Sequence, residues 1–145
     1  MAYVFDDDPR RVDVELVWQF LSEHAYWGRW RTRQDVERQV AGAWRVVGCY
    51  EEPAGRMVGF ARATSDGVGL AYLADVFVLP EHRGHGLGQR LVDVMVDQGP
   101  GADFRWLLHT ADAHGLYRKF GFTTPDQTLL ERPHATTRPP ASDTG

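Results

Sequence analysis

The most informative stretch of this chain is Val76-Phe77-Val78-Leu79-Pro80-Glu81-His82-Arg83-Gly84-His85-Gly86-Leu87-Gly88. An apolar run stops at a proline, three glycines follow at alternate positions, and the apolar spacing after them is helical. Glycine permits positive φ and a close approach of backbone to ligand. The free N–H groups and the dipole at a helix start attract anions. The stretch therefore predicts a strand, a helix and, between them, a phosphate or pyrophosphate cradle formed by the backbone amides of residues 84–88, with Arg83 as an added charge.

Glycine spacing alone leaves other interpretations of this turn. Turns use glycine for conformational reasons of their own, so a tight strand-to-helix connection without a ligand stays open. A phosphate-binding NTPase loop ends in Gly-Lys-Ser/Thr, whereas this chain has Gly88-Gln89-Arg90. A dinucleotide fold needs a second βαβ half, and only 57 residues (145 − 88) follow Gly88. These two nucleotide-binding classes are therefore disfavoured.

Helical and extended patterns alternate along the rest of the chain. Asp13 is placed to begin a first helix, and Thr32, with Asp35 three residues on, a second. Extended patterns predict strands at 44–50, 57–63, 69–79, 104–109 and 128–132, and helical spacing predicts helices at 87–97 and 112–120. Interleaved helices and strands predict an α/β or α+β class with a mixed sheet.

Length and composition narrow the class of protein. The 145 residues predict one domain, at 1–132, followed by a Pro/Thr/Ala/Ser-rich tail at 133–145 that we expect to be disordered. A single cysteine, Cys49, excludes a disulfide framework and a multi-cysteine metal site. The net charge of −4 disfavours general nucleic-acid binding. No apolar run approaches the ~18 residues of a membrane span, so we expect a cytoplasmic protein without a membrane partner.

Two motifs, in this order, resemble those of the GNAT superfamily of N-acetyltransferases. Residues 83–88 match the acyl-CoA-binding pattern Arg/Gln-x-x-Gly-x-Gly/Ala without a gap, and residues 113–122 resemble the family's Ala-x-x-Leu-Tyr-x-x-x-Gly-Phe. The resemblance covers about residues 1–132. It implies a mixed, mostly antiparallel central sheet flanked by helices, in which two neighbouring strands splay apart to form the acyl-CoA cleft.

The resemblance implies that acetyl-CoA is the co-substrate. The histidines lie on different elements without the carboxylate–histidine spacing of a known metal site, so no metal is expected. The strand that ends at Leu79 and the strand at 104–109 would open around the pantetheine arm, with the Val76 amide also facing the thioester carbonyl. The alternative for Val76 and Val78 is simple core packing. The implied cofactor-binding residues are Val76, Phe77, Val78, Arg83, Gly84, His85, Gly86, Leu87, Gly88, Thr110 and Tyr117.

Two residues are candidates for the chemistry, Asp75 and Tyr117. An amine with a pKa of ~10.4 is mostly protonated at neutral pH, so a carboxylate or a water chain must take its proton. Asp75 interrupts an apolar strand next to the thioester-binding residues, whereas the adjacent position, glutamate in some relatives, is Ala74. A buried, satisfied structural carboxylate is the alternative. The resemblance implies that Tyr117 is the general acid toward the leaving thiolate, and the alternative is a core aromatic.

The expected acceptor is a small molecule with a primary amine. The loop that joins the first two helices, which wall the acceptor side in the family, contributes Tyr26, Trp27, Arg29 and Trp30, and with Asp75 these form the predicted substrate-binding set. The same rings could instead close the core beneath the helices. A protein or peptide acceptor and a non-catalytic acyl-CoA-binding module stay open as alternatives, and so do a monomer and a homodimer.

Overall fold

The computed structural model describes residues 2–24 and 31–137, which form a five-stranded sheet with helices on both faces. The strands are β1 (Ala2–Asp6), β2 (Arg45–Glu52), β3 (Arg56–Ser65), β4 (Leu70–Val78) and β5 (Arg105–Leu107). The helices are α1 (Val14–His24), α2 (Arg33–Ala41), α3 (Leu87–Met95) and α4 (His114–Arg118). The predicted mixed class is confirmed.

The first two helices begin where their caps predict. The Asp13 carboxylate accepts a hydrogen bond from the Leu16 amide at 3.1 Å, just ahead of α1. At α2, Thr32 and Asp35 exchange side-chain and backbone hydrogen bonds of 2.8 and 3.1 Å. These bonds satisfy amides that a helix start leaves without intrahelical partners. The caps thereby fix the residue at which each helix begins.

The sheet is antiparallel except at its last strand. Its order is β1-β2-β3-β4-β5, and β5 runs parallel to β4 through the pairs Leu70↔Arg105 and Tyr72↔Leu107. Beyond Tyr72, β4 continues to Val78 while β5 has already ended. One edge of β4 is therefore left unpaired by β5 over its second half.

Both ends of the described chain depart from the predicted pattern. The sequence does not predict β1, because Tyr3-Val4-Phe5 is too short an alternation before its acidic run, yet it pairs as an edge strand from Ala2↔Glu52 to Asp6↔Gly48. The predicted strand at 128–132 is wrong. The Asp126 carboxylate accepts a hydrogen bond of 2.8 Å from the Thr128 amide in a turn, and Leu130 is 91% exposed. An apolar pair in a turn buries too little surface to hold a strand in place.

Two apolar clusters cover the two faces of the sheet. Val17, Phe20 and Val36 of α1 and α2 pack on one face. Leu91 and Met95 of α3, both fully buried, pack on the other. Both clusters include residues of the second half of β4: Phe77 belongs to the cluster of α1 and α2, and Val76 and Val78 pack against the cluster of α3.

Cys49 belongs to the core beneath α3. A Cβ added to the facing Gly59 would lie 3.2 Å from both the Cys49 Cβ and the Leu91 Cδ1, so glycine allows the helix to approach the sheet. Burial raises the pKa of the Cys49 thiol to about 11, despite the nearby charge of Arg90. The thiol therefore stays protonated and packs as a small apolar group.

Within residues 2–24 and 31–137, no helix combines the length and the apolar character needed to cross a membrane.

Candidate functional site

A β-bulge in β4 opens the sheet. Phe60 of β3 pairs with Phe77, but Arg62 pairs with Ala74, so two residues of β4 oppose one of β3. Asp75 lies in this bulge with φ +54°, a left-handed conformation that aspartate tolerates better than most residues. A bulge bends its strand and increases the local twist. The bulge lies in the part of β4 that continues beyond its pairing with β5.

A cleft of about 540 Å³ lies along this opened edge. It is enclosed by the end of α1, the second half of β4, the glycine-rich turn, the start of α3 and the region of α4. Its lining residues are Phe20, His24, Val76, Phe77, Val78, His82, Arg83, Gly84, Gly86, Leu87, Gly88, Asp112, Ala113, Leu116 and Tyr117.

The glycine-rich turn is shaped to receive an anion. Gly84 and Gly86 have φ of +88° and +71°, and Gly86 is the N-cap of α3. A Cβ added at either glycine would meet no protein atom within 4 Å, so open space lies in front of the turn. The first amides of α3 have no intrahelical acceptors, as at every helix start. The residues present therefore fit a phosphate or pyrophosphate group.

Side chains of the first two strands contact His82 and hold this turn in place. The Nδ1 atom of His82 lies 3.0 Å from the Tyr3 hydroxyl of β1, and its Nε2 lies 3.3 Å from a Glu51 carboxylate oxygen of β2. The Arg83 Nε donates to the Val78 carbonyl at 3.2 Å, and Arg83 is one of the lining residues of the cleft. The turn is therefore fixed at both the histidine and the arginine.

The open edge of β4 presents backbone amides to the cleft. The Leu79 amide donates to the Val58 carbonyl of β3 at 2.8 Å. Because successive amides of an extended strand point to opposite sides, the Val78 amide points away from β3. The Arg83 contact to the Val78 carbonyl agrees with this direction. An extended ligand could pair with this edge as an added strand would.

Tyr117 presents a protonated hydroxyl to the cleft. The residue is 9% exposed and packs edge-on against Phe122. Burial, and to a lesser degree the charge of Asp112, raises its pKa above the usual tyrosine value. The hydroxyl is therefore a proton donor throughout the neutral range.

Asp75 is held between two arginines. Its carboxylate accepts two hydrogen bonds from Arg31, at 2.8 and 3.0 Å, and one from the Arg62 Nε at 2.6 Å. Burial alone would raise its pKa, but the hydrogen bonds and charges of Arg31 and Arg62 outweigh burial and lower the pKa below the usual range. Both oxygens are occupied, which favours the interpretation of Asp75 as a satisfied buried carboxylate.

We expect the substitution Asp75→Asn to destabilise the fold by about 3–5 kcal/mol at pH 7, because it leaves buried guanidinium groups without their counter-charge. Asparagine also tolerates the left-handed backbone, so the effect isolates the charge. Urea unfolding at several pH values measures it. Since the folded-state pKa is depressed, the stabilisation is present above the unfolded pKa of ~3.9 and is lost as the pH falls through the folded value.

The matched control is Glu37→Gln, which breaks the exposed i,i+4 ion pair with Arg33 at 3.2 Å. It should cost no more than about 0.5 kcal/mol. An Asp75→Asn variant as stable as this control at pH 7 would contradict the counter-charge role.

The cleft gathers most of the predicted cofactor residues. Val76, Phe77, Val78, Arg83, Gly84, Gly86, Leu87, Gly88 and Tyr117 all line it. Thr110 and His85 do not: the Thr110 hydroxyl accepts the Ala113 amide at 3.1 Å ahead of α4, and the His85 ring lies 5.9 Å from the ring of Tyr3. Four predicted acceptor-side residues, Tyr26, Trp27, Arg29 and Trp30, lie outside the described residues.

Sequence reasoning missed residues from several parts of the cleft. Four lining residues of the turn and the α4 region were not among the predicted site residues: His82, Asp112, Ala113 and Leu116. Phe20 and His24 line the cleft from one face of α1, and their spacing of four residues was the available signal. Arg62 was missed as the partner of Asp75, although it is the lone charge within the otherwise uncharged run 57–64. In the parts of the chain that the structure describes, no three His, Cys, Asp or Glu side chains are grouped to hold a metal ion.

The sequence matches the family model described as "Acetyltransferase (GNAT) family" over residues 11–122. A crystal structure from Xanthomonas campestris pv. campestris, described as belonging to the GNAT family, is 36% identical with a TM-score of 0.85 over 92% of this chain and 94% of that one. "Putative acetyltransferase FG08082" of Gibberella zeae is 31% identical over 73% of this chain, which spans 59% of that protein's length. A Clostridium acetobutylicum "predicted acetyltransferase with acetyl-CoA" shares the fold, at 14% identity and TM-score 0.64, over 90% of this chain and 95% of that one.

Proposed function

The chain belongs to the GNAT family of acetyltransferases, and from that premise we propose that it transfers an acetyl group from acetyl-CoA to the primary amine of a small molecule, by direct attack in a ternary complex. One observation carries the proposal. The left-handed glycine turn, the amide edge of β4 and the Tyr117 hydroxyl all border the same cleft. An anion cradle, a site for an extended amide-containing arm and a proton donor are the three groups that use of an acyl-CoA requires.

Each group has a distinct task in the proposed reaction. Bound acetyl-CoA supplies an acetyl group activated as a thioester. The amides of residues 84–88 and Arg83 hold its phosphates, and the Val78 amide pairs with its amide-containing arm. The Val76 amide donates to the carbonyl oxygen as negative charge develops there. Tyr117 donates its proton to the departing sulfur, which carries the charge of a thiolate.

The acceptor amine must lose a proton before it attacks. Asp75 is the carboxylate nearest in sequence to the proposed reaction centre, but both its oxygens are bonded to arginines and its pKa is lowered by them. We therefore assign Asp75 to the acceptor side as a positioning residue and the proton to a water chain that leads out of the cleft.

Thermal unfolding with and without acetyl-CoA tests the donor. At about 100 times its dissociation constant, a ligand of the folded state adds about 2.7 kcal/mol, which for a chain of this size raises Tm by roughly 5–10 °C. ATP and NAD at the same concentration are the controls and should give a smaller shift. A larger shift with either control would overturn the assignment of the cleft.

Thiol release from acetyl-CoA in the presence of a panel of amines tests the reaction itself. If acetyl-CoA stabilises the protein but releases no thiol in the presence of any small amine, peptide or protein N-terminus, the protein is a non-catalytic acyl-CoA-binding module. Release with peptides alone would place the acceptor among proteins.

A further inference from the structure

We propose that His24 is the catalytic base that takes the second of the two protons lost by the acceptor nitrogen. The proposal rests on the proposed function and adds a proton acceptor to it. His24 lines the cleft from the end of α1, and the reaction described above gives it no task.

An alkylammonium ion that becomes an amide loses two protons. The first leaves through the water chain before the attack and gives the neutral amine. The nitrogen–carbon bond then forms, the carbon–sulfur bond breaks with its electron pair on sulfur, and Tyr117 gives the sulfur a proton. The second proton leaves the nitrogen as the new bond makes that nitrogen more acidic. A base on the acceptor side is needed to receive it.

His24 is linked by ring contacts to the proposed reaction centre. Its ring centroid lies 4.6 Å from that of Phe20, one turn earlier in α1. The Phe20 ring lies in turn 4.1 Å from the ring of Phe77, on which it stacks. Phe77 follows Val76, whose amide is proposed to face the thioester carbonyl. These contacts hold the imidazole on the side of the cleft that α1 forms.

The proposed acid and base come from opposite faces of the sheet. Tyr117 belongs to the apolar cluster of α3, whereas Phe20 and Phe77, against which His24 is held, belong to the cluster of α1 and α2. The edge of β4 lies between the two clusters. The departing sulfur and the attacking nitrogen are different substituents of one carbon, so the groups that serve them must reach it from different directions.

The other titratable side chains of the cleft are less suited to this task. The ring nitrogens of His82 lie 3.0 and 3.3 Å from side-chain oxygens of β1 and β2. Arg83 stays charged and has no lone pair to offer. Asp112 lies ahead of α4, and its charge acts on Tyr117, which places it on the side of the departing sulfur.

The segments outside the described residues contribute one further carboxylate. Residues 25–30, which follow His24, contain no histidine, aspartate or glutamate, and residues 138–145 contain Asp143. A carboxylate is a weaker base than an imidazole, by about two pKa units in ordinary side chains. Asp143 therefore enters the test as a variant of its own.

The surroundings of His24 allow it to gain and release a proton. Its side chain is 48% exposed, so the proton can pass on to solvent. A Glu23 carboxylate oxygen lies 3.8 Å from its Nε2 and stabilises the imidazolium once it forms. The neutral ring offers one nitrogen with a lone pair. When Tyr117 has regained its proton from solvent, each turnover has released one proton overall.

The pH profile of His24→Gln tests the proposal. Thiol release from acetyl-CoA is measured with methoxyamine, a primary amine that stays neutral where histidine changes charge, between pH 5 and 8. At pH 8 the variant should have a kcat/KM roughly 100-fold below that of the parent. Because His24 acts without its proton, the parent should lose activity as the pH falls to 5 and the variant much less. A merely structural role would lower kcat/KM by the same factor at every pH.

His109→Gln is the matched control. His109 is also an exposed histidine beside a glutamate, 3.0 Å from Glu131, but it does not line the cleft. This variant and Asp143→Asn should keep the kcat/KM and the pH profile of the parent. Free imidazole gives a second measurement, which decides if His24→Gln does not fold. It should restore part of the activity of His24→Ala and should not accelerate His109→Ala.

The outcomes separate this inference from the proposed function. An unchanged kcat/KM in His24→Gln, a defect of equal size at every pH, or a pH profile altered by Asp143→Asn instead would overturn the inference and leave the acetyltransferase intact. If methoxyamine is not acetylated, hydrolysis of acetyl-CoA is measured in the same variants with the same expected result, since attacking water also gives its proton to a base. A parent that releases no thiol with amine or water would count against the proposed function, and the inference would fall with it.

Discussion

Replacement of Tyr117 by phenylalanine is expected to lower the rate of acetyl transfer by roughly 10²–10⁴-fold, the range that general acid catalysis contributes. Tyr117 lines the cleft, and burial raises the pKa of its hydroxyl, which is therefore protonated at neutral pH. The variant keeps the ring and its edge contact with Phe122, so the affinity for acetyl-CoA should stay close to that of the parent. Single-turnover thiol release, measured with saturating acceptor, separates the chemical step from binding.

A second tyrosine in the same chain provides the control. The Tyr50 hydroxyl is buried without a hydrogen-bond partner among the described residues, and burial raises its pKa to about 12. It lies outside the cleft lining. Tyr50→Phe should therefore leave turnover unchanged and should not weaken the fold, because it removes an unsatisfied polar group. Equal rates for Tyr117→Phe and Tyr50→Phe would exclude Tyr117 from the reaction.

The largest expected effect on binding follows from Gly86→Val. Gly86 has φ +71° at the N-cap of α3, and the space in front of it holds no protein atom within 4 Å. A valine side chain would stand where an anion must approach the amides, and the β-branched residue resists the left-handed backbone. We expect the affinity for acetyl-CoA, measured by calorimetry, to fall at least ~100-fold through the loss of charge-assisted hydrogen bonds.

Gly67→Val separates blocked access from backbone strain. Gly67 has φ +77° in the connection between β3 and β4, and an added Cβ would meet the Trp44 Nε1 at an ordinary 3.7 Å. The left-handed strain is the same, about 1–2 kcal/mol, but this position is not part of the cleft lining. This variant should lose stability and keep its affinity. A Gly86→Val variant that binds acetyl-CoA normally would refute the cradle.

The elements around the cleft could be predicted because their signals are local. The caps at Asp13 and Thr32 and the glycines at 84 and 86 act within a few residues of themselves, and the structure confirms each. Asp75 could be singled out because a carboxylate interrupts an apolar strand. Its partners could not be named, since Arg31 is 44 residues away in sequence and meets it only after α2 packs on the sheet.

The two errors at the ends of the chain have one physical origin. Residues 2–6 form a strand because β2 offers them an edge to pair with, whereas residues 128–132, which lie in a turn and an irregular segment, do not form one. Pairing is a property of the neighbour as much as of the segment, and a single sequence does not reveal the neighbour. The bulge at Asp75 and Val76 was hidden for the same reason, because it exists only relative to β3.

The contact of Tyr3 with His82 joins the N-terminal strand to the glycine-rich turn, the proposed anion cradle. Docking of β1 and ordering of that turn are thereby linked equilibria, and thermodynamic linkage is reciprocal. If docking of β1 strengthens anion binding at the turn, a bound anion strengthens the pairing of β1 with β2 by the same coupling free energy. The first strand, which contributes no lining residue, is thus part of what determines how tightly the cleft holds its ligand.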